Sequence, residues 1–132
     1  MSNLALSFKD LDTYKTAREI AFDIYNLSKS FPSDEKYSLT DQIRRSSRSV
    51  GAQIAESWGK RNYEKYFIAK LTDADSEQFE TQHWLEVAFE CKYITHDQLN
   101  RQCSKCELLG RMIHNMIQKS DQFCKTKVVS SQ

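Results

Sequence analysis

The chain has one proline and three glycines in 132 residues. All-β proteins draw heavily on both for their turns, so this scarcity excludes a many-stranded architecture and favours long helices with short joins. Long apolar runs are also missing, and none approaches the roughly 20 residues a membrane span needs. The start, MSNLALSFKDLD, lacks the basic opening and apolar stretch of a secretory signal. Nor is there an excess of one charge. The 19 basic and 18 acidic residues leave a formal charge of +1, so global charge gives no push toward nucleic acid or anionic membrane. Without an export signal, Cys91, Cys103, Cys106 and Cys124 are expected to be reduced thiols in a cytoplasmic protein.

What is present is helical periodicity. Apolar residues recur at steps of three and four through Leu11, Tyr14, Ala17, Ala21, Ile24, Leu27 and Phe31, which predicts a helix over 8–31 that Pro32 stops. Ser38 opens SLTD, a Ser-x-x-acid pattern like a capping box. A second helix, 39–59, follows with the line Leu39, Ile43, Val50, Ile54 and Trp58; Ser47 fills the missing step and Gly59 serves as its C-terminal cap. A third helix, 62–92, is expected to be capped by Asn62. Phe67, Leu71, Ala74, Gln78, Thr81, Leu85 and Ala88 keep heptad spacing along it. Thr95 opens a second capping box, THDQ, ahead of a fourth helix over 96–123 with Leu99, Cys106, Leu109, Ile113, Met116 and Ile117 as its apolar set. Residues 124–132 read as a frayed tail. The pattern predicts one domain, an antiparallel up-down-up-down four-helix bundle, with no internal repeat.

Catalytic and metal-binding patterns are incomplete. Cys103 and Cys106 have CxxC spacing, but a second CxxC or a matched histidine pair is absent, so two free thiols on one helix face are expected. Glu80 and His83 form the Glu-x-x-His step of di-iron bundles. The required second pair is missing, because Tyr93 and Arg111 stand three residues before His96 and His114. No phosphate-cradling glycine loop occurs. The expectation is a non-enzymatic protein with no cofactor and no metal.

Charge is segregated along the chain although its total is neutral. Between 42 and 63, Arg44, Arg45, Arg48, Lys60 and Arg61 face a single acid, Glu56. Between 73 and 90, Asp73, Asp75, Glu77, Glu80, Glu86 and Glu90 occur without a Lys or Arg. Either the two faces meet, within a chain or between subunits, or the arginines point outward to phosphates. On a helical wheel Arg45 lies nearly opposite the apolar line, with Ser49, Ala52 and Glu56. Small residues there allow close helix approach, and the helix-propensity cost of serine and glycine asks for a compensating partner such as a second subunit. Phe79 and Trp84 lie off the heptad line of the third helix, as interface aromatics do.

The segments YSLTDQIRRSSRSVGAQIAES and DADSEQFETQHWLEVAFECKYI, together with Phe31-Pro32, resemble the bacterial four-helix-bundle family of 23S rRNA intervening-sequence proteins. Gln53 to Ser57 read QIAES where that family usually has Asn-Ile-Ala-Glu-Gly. The resemblance implies a ring-like homopentamer with no established enzymatic activity. The related accessory proteins of diversity-generating retroelements are strongly basic barrels, and the +1 balance departs from that branch. Two functions are therefore expected as alternatives. One is RNA or ribonucleoprotein binding through Arg44, Arg45, Arg48, Lys60, Arg61 and Lys65. The other is a protein-interaction scaffold with Arg45, Ser49, Ala52, Phe79 and Trp84 at the subunit interface.

Overall fold

The computed structural model describes residues 5–124. Four long helices carry the fold: α1 (Asp12–Ser28), α2 (Leu39–Gly59), α3 (Glu64–Glu90) and α4 (His96–Gln118), followed by a short α5 (Ser120–Phe123). No strand occurs among the described residues. Each helix packs on its neighbours in the chain, and α1 closes the arrangement against α4. The pairings run antiparallel. Glu56 meets Lys70 while Ser46 meets Thr81 across α2 and α3, and Thr13 meets Met116 while Asp23 meets Lys105 across α1 and α4.

The periodic positions form the core. Leu39, Ile43, Val50 and Ile54 from α2 are buried, as are all seven heptad residues of α3. Trp58 and Ile117 are only partly covered. Most polar residues inside the bundle are hydrogen-bonded, as burial requires; the exception among the described residues is Gln102, whose Oε1 is buried without a partner although its Nε2 donates to Asp23 at 3.3 Å. Ser57 Oγ donates to the Ile54 carbonyl at 2.6 Å, and Thr81 Oγ1 donates to the Glu77 carbonyl at 2.9 Å. Gln82 Nε2 donates to Gln78 Oε1 at 2.7 Å, and Gln78 Nε2 donates to Asp75 at 2.9 Å.

The helix ends correct several expectations. The first helix is shorter than 8–31: a separate 3-10 turn, Phe8–Asp10, precedes it, and α1 stops at Ser28, ahead of Pro32. The turn has its own capping box, in which Ser7 accepts from the Lys9 N–H and Asp10 reaches back to the Ser7 N–H. No capping box forms at Ser38. Its side chain donates instead to Glu35, and the same carboxylate accepts from the Leu39 N–H, so Glu35 caps α2 from the preceding turn. Asn62 does not cap α3, because Tyr63 occupies the N-cap position without a side-chain bond. Gly59 is the last residue of α2 rather than a left-handed cap, and Lys92 is the described residue with positive φ, at 66°. The fourth helix breaks at Lys119 before the short α5. The capping box at Thr95 forms as expected, with Gln98 completing it. Of the expected tail, Cys124 is buried, and 125–132 lie outside the described residues.

Gly51 is buried against α1, where an added Cβ would meet Tyr14, Ala17 and Arg18 at 3.7–3.9 Å, ordinary van der Waals contact. Gly51→Ala should therefore raise stability by about 0.5–1 kcal/mol through helix propensity alone. Ile54→Ala, at a fully buried position, should lower it by about 2–5 kcal/mol through lost burial and a residual cavity. Urea unfolding followed by circular dichroism checks both; equal effects of the two changes would contradict the packing described.

Candidate nucleic-acid interface

The arginines of α2 separate onto different sides because successive helical residues turn by about 100°. Arg45 points to α3. Its guanidinium reaches Glu77 at 3.4 Å and makes a closer contact with Glu80. Trp84 Nε1 also donates to Glu80, at 2.9 Å. These two hydrogen bonds, Trp84 first and Arg45 second, hold the Glu80 carboxyl below the ordinary carboxylate range. Glu80 is thus engaged by a cation and an indole, while His83 is exposed with its ring edge-on to Trp84. The Glu-x-x-His step does not present a pair of free ligands.

Arg44 and Arg48 point the other way, toward α1. The Arg44 guanidinium lies 4.9 Å from the Tyr25 ring centroid and Arg48 lies 5.6 Å from it. Lys29 approaches the same ring at 4.8 Å. Arg44 Nε donates to Ser28 Oγ at 2.7 Å, a neutral partner. Two turns earlier on α1, Arg18 stacks on Tyr14 and donates to its hydroxyl at 2.8 Å. None of Arg18, Lys29, Arg44 and Arg48 has a carboxylate ion-pair partner among the described residues. The aromatic faces attract these cations, but their charges remain uncompensated by the protein.

Lys60, Arg61 and Lys65 form a separate group at the α2–α3 turn. Lys60 and Lys65 are exposed. Arg61 is not free as expected: it folds back over Trp58, 3.6 Å from the ring centroid, and donates to the Trp58 carbonyl at 2.8 Å. The six expected nucleic-acid-binding residues therefore fall into three places, with Arg44 and Arg48 together, Arg45 on the opposite side, and the remaining three at the end of the bundle.

The expected interface set also divides. Arg45 and Trp84 meet through Glu80 on the α2–α3 side. Ala52 is exposed and borders a groove with Phe8, Tyr14, Ala17 and Gly51 on the α1–α2 side. Ser49 is half-buried. Phe79 is 60% exposed beside α4, in a groove of about 420 Å³ with Asp75, Glu107 and Gly110. The small residues of α2 are compensated largely within the chain, since Ser46, Ser47, Gly51 and Ser57 are all buried in the protomer.

Residues missed by the pattern reading complete the α1–α2 side. Lys15, Arg18, Phe22, Tyr25 and Lys29 follow steps of three and four along α1, and that second stripe was the available signal. Lys15, Arg18, Phe22, Tyr25 and Arg48 line a groove of about 540 Å³. It continues past Arg48 to Lys36, Tyr37 and Arg44.

The thiols are not activated. Burial raises the Cys106 pKa to about 12 and that of Cys103 to about 11, so both stay protonated at neutral pH. No helix among the described residues is long and apolar enough to cross a membrane, and no cluster there could hold a metal ion.

The protein is all-α, built on four long helices, with a cluster of cations on the α1–α2 side. The chain belongs to the family of 23S rRNA-intervening sequence proteins, whose sequence model matches residues 9–115. It is similar to a crystal structure of a protein of unknown function from the S23 ribosomal protein family of Bacteroides thetaiotaomicron. The two are 29% identical, with a TM-score of 0.72 over 80% of this chain and 95% of that one. No curated protein matches the sequence.

Because Glu80 titrates below its unfolded range, its pairing contributes stability that is present above the unfolded carboxylate pKa. That contribution is lost as pH falls through the depressed folded value. Glu80→Gln should therefore destabilise the protein at pH 7, and the difference from the parent should shrink as pH falls from about 5 toward 3. Thermal melts across that range measure it. A difference that stays constant with pH would rule out the ionised carboxylate as the source.

Proposed function

We propose that the protein is a non-enzymatic RNA-binding module whose contact surface is the basic α1–α2 side. The observation that carries this reading is the convergence of Lys29, Arg44 and Arg48 on one Tyr25 ring without a carboxylate partner among the described residues. Three like charges gathered at one place repel each other. A phosphate backbone laid against them removes that repulsion and releases condensed counterions. The family description, which links these proteins to 23S rRNA intervening sequences, and the S23 ribosomal protein family of the similar structure point to the same class of ligand. Arg45 borders the groove beside Lys36, Tyr37 and Arg44, but its guanidinium is committed to Glu77 and Glu80 and adds little to the surface. Lys60 and Lys65 extend the positive charge at the bundle end.

The proposal predicts salt-dependent binding to RNA. Arg44→Ala with Arg48→Ala should make the slope of log K against log salt shallower by about two, one for each lost phosphate contact. Arg45→Ala should leave the slope unchanged. Fluorescence anisotropy with a labelled structured RNA measures both, and absence of binding by the parent protein at low salt removes the proposal.

A second reading, a self-associating scaffold, is favoured by Phe79. That ring is 60% exposed in a groove with Asp75 and Glu107, on the side of the bundle away from the arginines of the α1–α2 groove. Two unlike sides suit a head-to-tail ring, which closes only when each copy offers both patches. A homopentamer fits this geometry, and the ring and the RNA contact are compatible if they use different residues. Phe79→Asp should lower the mass seen by light scattering to that of a 15.5 kDa protomer. An unchanged mass would exclude Phe79 from the subunit contact.

A further inference from the structure

We infer that the α1–α2 groove takes single-stranded RNA, with unpaired bases stacked on Phe22 and Tyr37 and phosphates against Arg18, Arg44 and Arg48. This deepens the RNA-binding reading and rests on it. The distinction is between a surface that only neutralises phosphates, which serves duplex and single strand alike, and one that also offers free aromatic faces. Only unpaired bases can use such faces, because a duplex keeps its bases stacked on each other.

The aromatic residues of the groove are in two states. Tyr14 and Tyr25 are half-buried and their faces are already occupied, Tyr14 by Arg18 and Tyr25 by Lys29, Arg44 and Arg48. They act as supports that hold cations at the groove wall. Phe22 and Tyr37 differ. Phe22 is 65% exposed, and no ring or cation stacks on it among the described residues. Tyr37 is 85% exposed and carries only Lys36, at 5.3 Å, over its ring. Both are large apolar surfaces left in water, with the intervening groove lined by Tyr25, Arg44 and Arg48. Aromatic faces alternating with unpaired cations along a track are what a single strand needs, since bases and phosphates alternate along it in the same way. The acids in this groove are Glu19 and Asp41. Glu19 shares Lys105 of α4 with Asp23, at 2.8 and 2.6 Å, and Asp41 is exposed, so these two acids reduce but do not cancel the charge of Lys15, Arg18, Lys36, Arg44 and Arg48 along the groove.

Anisotropy titrations with labelled oligo(U), oligo(A) and a blunt RNA duplex of equal length test this at fixed salt. The single strands should bind about tenfold tighter than the duplex, and Phe22→Ala or Tyr37→Ala should each weaken single-strand binding by about tenfold while leaving duplex binding and the salt slope unchanged. Both positions are exposed, so folding is not at stake, and circular dichroism verifies it. Equal affinity for duplex and single strand, or variants that bind single strands like the parent, would overturn the inference while leaving RNA binding intact. If the parent binds no RNA at all, both readings fall. If the variants lose mass by light scattering but keep their RNA affinity, the two rings serve self-association and the inference is wrong.

Discussion

The seam between α2 and α3 sets everything else in this bundle. At its centre Ser46 Oγ and Thr81 Oγ1 are 2.9 Å apart and fully buried. A hydrogen bond between two short side chains requires the helices to approach closely, and it is satisfied at one register only. Thr81 also bonds back to its own helix, so the pair leaves no unsatisfied hydroxyl in the core. Next to it Arg45 spans Glu77 and Glu80, one turn apart on α3. Such an exposed pair adds little to stability, but it penalises any rotation of α2 that would carry Arg45 away from the acids. Once α2 is fixed in this way its other arginines have no choice of side. Arg44 and Arg48 must face α1, where Tyr25 receives them.

Charge segregation is resolved unevenly as a result. The acidic run of α3 meets one arginine of the basic run, not all of them. A formal charge of +1 therefore conceals a local excess of cations around Tyr25, while Arg45, Lys70 and Lys105 are paired with carboxylates elsewhere. Sequence totals report solubility and long-range attraction, whereas a contact surface depends on charge within a Debye length, about 8–10 Å at ordinary ionic strength. The α1–α2 groove carries more cations than acids on that scale, whereas the Phe79 groove across the bundle is mixed, with Asp75 paired to His114 and both Glu107 and Arg111 lining it.

The core was legible in the sequence because it is set by period, a property of single helices. The heptad line of α3 is buried at every position, including Gln78 and Thr81, whose polarity made them look like exceptions. Caps were less legible. Glu35, rather than Ser38, closes the start of α2, because a 3-10 turn brings its carboxylate within reach of Ser38 and Leu39 and no local motif encodes that turn. The site was legible only in part. Arg44 and Arg48 were identified, and the helical wheel put Arg45 on another face, but its partners on α3 could not be read, since pairing is a property of two helices at a given rotation. Lys15, Arg18 and Phe22 were missed although their stripe along α1 was there to read, and Tyr37, in the turn before α2, acquires meaning only from what the neighbouring helices place beside it.

The same logic bears on the serines and glycine of α2, whose helix-propensity cost seemed to ask for a second subunit. The compensation is internal. Ser46, Ser47, Gly51 and Ser57 are all buried in one protomer, and the three serines return hydrogen bonds to their own helix. Burial within the protomer thus accounts for these serines without any oligomer, which weakens them as an argument for assembly, while at Gly51 an added Cβ would meet only ordinary contacts, so packing does not require glycine there. Ala52, exposed, with Ser49 and Ala55, half-buried, are left for an outside partner. What favours self-association is instead the large exposed ring of Phe79 beside α4. A head-to-tail ring would bring that ring toward the α1–α2 side, and Arg44 and Arg48 would then have two competitors, a neighbouring subunit and RNA. Ala52 shares its groove with Arg18 and Arg48, so a subunit docked there would compete with RNA for part of the same surface.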